Sequence, residues 1–311
     1  MNKARTLTEG AMNLAIFIVL LLITIYVPAL GVLAAFTLSI PFIIYTVRHG
    51  LKNGIFMVII AIPITLLLGT YVLLPFAFMF GISGVVMGHL FSKTKLAYVV
   101  LLGGTVSFAL TLLLQVVVAS VFLNVDLQGV FQQSVNDSIQ RSEEIMKSVG
   151  QAPVEEEIEL IRENMRMMTY LIPTLLVGAG LILAFVTQLF SVPVLKRLGH
   201  KPVSFPPLRD LRLPKSLLWY YLITLVCSLI PLDEGSFGYI AVINLLMVLQ
   251  WLMFLQGISF LFYYFHSKGR AKAIPVVITI IALVIPPAGT VLRIVGIIDL
   301  GFNLRKNNSK S

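Results

Sequence analysis

Charge is what this chain has least of. Only 12% of its 311 residues are Asp, Glu, Lys or Arg, about half the share of an ordinary soluble domain. A chain with so few charges cannot cover a solvated surface of this length, so a water-soluble fold is excluded. Cysteine is nearly absent as well. Cys227 is alone, which excludes an intrachain disulfide, and its place inside an apolar run marks it as inert packing. HExxH, Walker-type phosphate loops and GxSxG are all missing. No two carboxylates fall within one apolar run, which leaves those runs without a proton relay or a cation site. The chain therefore reads as no enzyme, with no cofactor and no metal expected. The apolar runs show no strand alternation, which excludes a membrane barrel. The four His, at 49, 89, 200 and 266, all fall at the ends of apolar runs.

Apolar residues are what the chain has most of, 58% of the total. Several runs reach the ~20 residues that cross a bilayer core of ~30 Å. The fold class that follows is all-α, a polytopic helical membrane protein with about eight transmembrane helices and a C-terminal hydrophobic hairpin. The first run, 11–27, follows Lys3 and Arg5 and carries no cleavage-site pattern, so it is read as retained. The second, 30–47, is expected to bend at Pro41, and the third, 55–68, is short and contains Pro63. The fourth and fifth are 71–91 and 96–123, and the sixth is 167–190, with a kink expected at Pro173. A basic, proline-rich loop at 191–216 reads as an extended linker. Runs at 217–231, with Trp219, Tyr220 and Tyr221 as an interfacial belt, and 238–265 follow. The last run, 273–304, is divided by Pro286-Pro287 and is expected to fold back as a hairpin.

Residues 125–166 interrupt this pattern. Nine of the 14 acidic residues lie there, against Arg141, Lys147, Arg162 and Arg166. Two amphipathic helices are predicted, 127–148 and 154–166, packing through Val135, Ile139, Ile158 and Ile161. The remaining basic residues concentrate elsewhere: 15 of the 23 Lys and Arg lie in the N-terminus and in segments 48–54, 92–96, 191–216 and 266–272. The bias of Lys and Arg toward the cytoplasm places those segments inside and the acidic segment outside. The location expected is the bacterial plasma membrane, multi-pass, with a cytoplasmic N-terminus. The net charge of +9 is scattered over loops, which argues for anionic lipid headgroups rather than nucleic acid as its counterpart.

Small residues recur at helical spacing. Ala11 and Ala15 form a small-xxx-small face on the first run, and Gly81, Gly84 and Gly88 form another on the fourth. Each face lets two helices approach closely, and tight packing within the chain is the plain reading of both. Asn13, Gln115, Gln188, Asn244, Gln250 and Gln256 are polar residues inside runs, where amides commonly bridge helices.

The order of features in residues 8–190 resembles the substrate-capture (S) component of energy-coupling-factor vitamin transporters. The features are Thr8-Glu-Gly-Ala-Met-Asn-Leu-Ala15 opening a short first helix, a Pro-Gly turn at 28–31, and Gly50 and Gly54 beside a basic turn. A Gly81/Gly84/Gly88 helix ending in a second basic turn and two longer helices complete the set. The whole chain is more similar still to the YybS-like family of bacterial membrane proteins. The S-component resemblance implies that residues 1–190 form a six-helix domain and that Ala11 and Ala15 contact a membrane coupling subunit. It also implies that a small molecule binds among the fourth to sixth helices. Loop 191–216 and helices 217–311 are additional to that pattern. The partners implied are the lipid bilayer, a coupling subunit and a small molecule of unassigned identity. The rival reading is a membrane scaffold or regulatory protein that recruits partners without transport.

The charge asymmetry yields a direct test. In a Cys227→Ser background, a cysteine replacing Gln140 should react with a membrane-impermeant reagent in intact cells, and one replacing Phe205 should not. The opposite labelling pattern would overturn the orientation.

Overall fold

The computed structural model describes residues 3–68, 73–122, 127–148, 155–302 and 304–307, and among these every long element is a helix. The helices are α1 (Lys3–Tyr26), α2 (Pro28–Ala35), α3 (Ile40–His49), α4 (Leu51–Leu67), α5 (Leu74–Lys93), α6 (Ala97–Phe122) and α7 (Leu127–Ser148). They continue with α8 (Glu155–Tyr170), α9 (Ile172–Arg197), α10 (Ser216–Cys227), α11 (Phe237–Ser267), α12 (Ala273–Val284), α13 (Pro286–Phe302) and α14 (Leu304–Asn307). Six helical segments are long and apolar enough to cross a membrane, α2 and α3 counting together as one. Two shorter apolar helices, α4 and α10, and the bent pair α12–α13 accompany them. The chain is thus a polytopic helical membrane protein. It divides into two compact units, residues 1–162 with 175–205 and residues 163–174 with 206–311.

In the first unit α5 is the central element. Ala77, Phe80, Val85, Met87 and Phe91 of α5 are buried with Phe17 and Leu21 of α1, Phe42 and Ile43 of α3 and Phe108 of α6. Its glycines let the backbones meet. A β-carbon on Gly84 would stand 2.7 Å from the Ser39 carbonyl oxygen and 2.8 Å from Phe42 Cβ. One on Gly88 would stand 2.9 Å from the Ile43 carbonyl, and one on Gly81 3.2 Å from Val58.

Helix α1 starts at Lys3, eight residues before the apolar run, because Arg5 and Glu9 pair at one-turn spacing (3.0 Å) and the Thr8 hydroxyl donates to the Ala4 carbonyl. The second run does not bend at Pro41. It breaks at 36–39, and Pro41 sits in the first turn of α3, where its missing N–H costs nothing. The break is closed by side chains: the Thr37 hydroxyl donates to Ala34 and the Ser39 hydroxyl to Phe80. Pro63 lies inside α4. Gly69-Thr70, where the sequence suggests an uncharged turn after the third run, and Gly150 and Pro153, which interrupt the periodicity between the two amphipathic helices, fall outside the described residues.

The amphipathic pair is present as α7 and α8. Of the four packing residues expected, Ile139 is buried and Ile161 is exposed; the side chains of Val135 and Ile158 lie outside the described residues. Beyond the break at Leu171, α9 runs to Arg197, seven residues past the apolar run. It ends on Gly199, whose φ of +83° allows the His200 N–H to reach the Leu195 carbonyl, a left-handed C-terminal cap.

Segment 191–216 is not a free linker. The division between units falls inside it. Phe205 packs on Tyr98 and Phe185 of the first unit, with ring centroids 5.9 and 5.6 Å apart. Beyond it, the turn Leu208–Asp210 is hydrogen-bonded into the second unit through Ser259.

The second unit is organised by α11 against α13. A side chain on Gly257 would run into the Leu292 carbonyl, and one on Gly296 into the Met253 carbonyl, so two glycines set this crossing. Tyr221 joins Leu249, Met253 and Leu300 in the core, whereas Trp219 and Tyr220 are exposed. The last run turns through 119° at Ile285, with Pro286 and Pro287 opening α13. The α8–α9 break is stapled from α11. Asn244 Nδ2 donates to the Tyr170 carbonyl (2.7 Å), and its Oδ1 accepts from the Thr174 backbone N–H (3.0 Å) and hydroxyl (2.7 Å).

The glycine face of α5 predicts a large packing penalty. Gly84→Val should lower stability by about 1–3 kcal/mol, read as a lower melting temperature of the purified protein in detergent. Wild-type melting would mean that α3 and α5 do not approach at this point.

Candidate functional site

A cavity of about 430 Å³ opens at the basic end of the first unit, lined by residues at the start of α1, the end of α3 and the turn after α9. Its centre is Glu9. Arg5 Nε donates to Glu9 Oε1 (3.0 Å), while Arg48 Nη1 (3.3 Å) and His49 Nε2 (2.9 Å) meet Oε2. Glu9 is held from its own helix by Asn13, whose Nδ2 donates to the Glu9 carbonyl (2.8 Å). Tyr45 stacks at a tilt on the His49 ring, with centroids 4.8 Å apart.

The charge balance decides what the cavity suits. Glu9 is the only carboxylate among its described lining residues, and Arg5, Arg48, His49 and His200 face it. An ionised Glu9 cancels one of the two arginines, so the lining stays net positive and suits a small anionic group. His49 is 4% exposed, and its Nδ1 is buried with no hydrogen-bond partner. A buried polar nitrogen without a partner is costly.

The second unit contains a different centre, fully enclosed. Asp299 and Arg305 are 4% and 2% exposed and meet at 2.9 Å. Arg305 makes four hydrogen bonds and one further ion-pair contact. Nε and Nη2 reach Asp299 Oδ2, Nη1 reaches the carbonyls of Arg209 (2.8 Å) and Leu211 (3.1 Å), and Nη2 also reaches Ser259 Oγ (3.0 Å). Gln256 completes the set: its Nε2 donates to Asp299 (2.6 Å) and its Oε1 accepts from the Leu213 N–H (3.0 Å). The guanidinium lies 5.3 Å from the Tyr263 ring centroid. A cleft of about 40 Å³, room for little more than a water, borders it beside Arg212 and Lys215; the arrangement holds the strap 208–213 and the end of α13 on α11.

Of the residues singled out in the sequence, Ala11 and Ala15 lie on the exposed side of α1, with Met12, Ile16 and Val19. Asn13, Phe17 and Leu21 make the buried stripe. A shift of two positions turns a helix by roughly 200°, so the alanines face away from the unit's own core. Gly81, Gly84 and Gly88 are buried against α3 and α4. The S-component resemblance placed a ligand among the fourth to sixth runs, which are α5, α6 and α9, whereas the cavity around Glu9 opens at α1 and α3. Sequence reasoning passed over Glu9 and Arg305. The available signal was rarity: Glu9 and Asp299 are two of only five acids outside 125–166. Among the described residues no group of three His, Cys, Asp or Glu is placed to hold a metal ion.

A family model described as "Predicted membrane protein (DUF2232)" matches residues 15–300. The chain is 33% identical over 306 residues to a Bacillus subtilis (strain 168) protein described as "Uncharacterized protein YybS", covering 98% of this chain and 99% of that one. No solved structure matches. The resemblance to vitamin-transporter S components is carried by the sequence features of residues 8–190 alone.

The enclosed ion pair has a measurable consequence. Arg305→Met leaves Asp299 charged and the Arg209 carbonyl unpaired in a buried site, and should cost about 3–5 kcal/mol in detergent unfolding. Adding Asp299→Leu should recover part of that loss. A cost below about 1 kcal/mol for Arg305→Met would show that water reaches the pair.

Proposed function

The chain belongs to the DUF2232 family of predicted membrane proteins, and from that premise we propose that it is a transport-type membrane subunit that binds a small anionic molecule and docks a second membrane protein through α1. The observation that carries this reading is that α1 presents both surfaces. Glu9, at the cavity, and Asn13, Phe17 and Leu21 turn toward the unit. Ala11 and Ala15 turn outward. One rigid helix therefore connects ligand occupancy to a close-approach surface. A small-residue face lets a partner backbone come near, which in lipid is a main source of helix association. The anionic class follows from the net positive lining of the cavity. The docking role of Ala11 and Ala15 follows from the S-component resemblance and from their having no packing duty inside the chain.

The compartment belongs to the same proposal: the bacterial plasma membrane, with the N-terminus cytoplasmic. Its support is that the N-terminal turn, Arg48 and His200 share one cavity, so three of the basic segments lie at one end of the first unit. A transport cycle run by this subunit would draw its energy from the partner.

Replacing both Ala11 and Ala15 with Leu separates the readings. If α1 docks a partner, recovery of co-purified membrane protein should fall roughly tenfold or more, as expected for ~1–3 kcal/mol of overpacking, while melting in detergent stays as in wild type. Unchanged partner recovery would overturn docking and leave the face to lipid. A large loss of stability would overturn it in favour of packing within the chain.

A further inference from the structure

A second cavity, of about 280 Å³, opens in the second unit where α11 meets the turn before α12. Arg209, His266, Arg270 and Lys272 line it, and no carboxylate is among its described lining residues. Arg209 has a loose contact with exposed Asp210, Nε to Oδ1 at 3.8 Å. Beside the cations stand half-buried Phe262 and Phe265 and buried Pro275. We propose that this cavity binds the phosphate-bearing headgroup of an anionic phospholipid.

Three observations point there. First, one cation of the wall, Arg209, stands on a backbone that is fixed in place. The turn carrying Leu208 and Arg209 is tied down by buried groups: the Ser259 hydroxyl is 2.7 and 2.6 Å from the Leu208 and Leu211 carbonyls, and Arg305 donates to the Arg209 carbonyl at 2.8 Å. A cation on a held backbone loses less freedom on binding than one on a mobile loop. Second, among the described residues the only carboxylate paired with these four cations is exposed Asp210, 3.8 Å from Arg209, so a phosphate would supply the missing counter-charge, and Arg suits phosphate oxygens through its planar fork. Third, depth selects lipid over a free phosphate. Helix α11 has 31 residues and a length of about 46 Å, longer than a ~30 Å hydrocarbon core. Its last turns, with Phe262, Phe265 and His266, therefore reach the headgroup layer. Rings beside cations at that depth suit glycerol esters and the first methylenes of an acyl chain, whereas a soluble phosphate has no use for them. Basic pockets between membrane helices bind anionic headgroups in this manner.

The test uses the full-length protein, extracted in mild detergent from an equal mixture of phosphatidylglycerol and phosphatidylcholine and weighed intact with its retained lipid. Wild type should keep phosphatidylglycerol preferentially. Arg270→Gln with Lys272→Gln should lose it roughly tenfold or more, because each cation close to an anionic surface contributes about fivefold. Lys93→Gln with Lys95→Gln removes equal charge from the first unit and should keep it. In wild type, dioctanoyl phosphatidylglycerol should displace the retained lipid and glycerol 3-phosphate should not. Equal loss in the two double variants would reduce the effect to bulk charge and overturn the site. So would retention without preference for phosphatidylglycerol. Displacement by glycerol 3-phosphate as effective as by the short-chain lipid would overturn the lipid assignment in favour of a soluble phosphate. Arg270 and Lys272 are exposed, so their variant should melt as wild type does in phosphatidylcholine alone. If it does not, the displacement experiment on wild type still decides between the outcomes.

Discussion

A backbone crossing hydrocarbon must satisfy its own N–H and C=O groups, and each break in a helix frees several of them at a cost of several kcal/mol apiece. This chain breaks its apolar runs repeatedly and answers two of the breaks, and the non-helical strap 208–213, with polar side chains. At 36–39 the answer comes from Thr37 and Ser39. At Leu171, where Pro173 has no N–H to give, Asn244 reaches across from α11 to take the freed Tyr170 carbonyl and the Thr174 N–H. In the strap, Ser259, Gln256 and Arg305 take up the carbonyls and N–H groups of 208–213. The scattered amides and hydroxyls of an otherwise apolar sequence are the parts that permit a non-helical path.

The same constraint governs the charges. Asp299 and Arg305 are tolerated in the interior because the guanidinium makes four hydrogen bonds and the carboxylate receives two, with an ion-pair contact of 2.9 Å between them besides. Removing one partner is costly, whereas the intact pair adds little net stability. Its value is geometric: it fixes the strap on α11. Glu9 stands in a different setting. It is partly exposed, bordered by an open cavity, and matched by more positive groups than it can neutralise. One centre is closed and structural; the other is open and available to a ligand.

Small residues then determine which surfaces approach. Gly84 and Gly88 bring α5 onto α3, and Gly257 and Gly296 bring α11 onto α13, each by bringing backbone within contact of backbone. Ala11 and Ala15 have the same character and no internal neighbour of this kind. In lipid the gain comes from close packing rather than from expelling water, so a small-residue face left outward is a surface on which a second helix can gain such contact.

Hydropathy and charge alone determined the helical class, the positions of the runs to within a few residues, the amphipathic pair and the fold-back at Pro286-Pro287. These depend on local properties: run length against bilayer thickness, periodicity, and the missing N–H of proline. The break at 36–39 rather than at Pro41 was not legible, because it depends on Ser39 finding the Phe80 carbonyl 41 residues away. Likewise 191–216 read as a linker, since its prolines and charges are those of a solvated loop; its anchoring comes from Ser259 and Arg305, distant in sequence. Of the candidate sites, the small-residue faces could be read from spacing, but which of them points outward was decided by the burial of Asn13, Phe17 and Leu21. The cavity around Glu9 was hidden for the same reason: Arg5, His49 and His200 form no motif, and only the tertiary structure brings the ends of α1, α3 and α9 to one place.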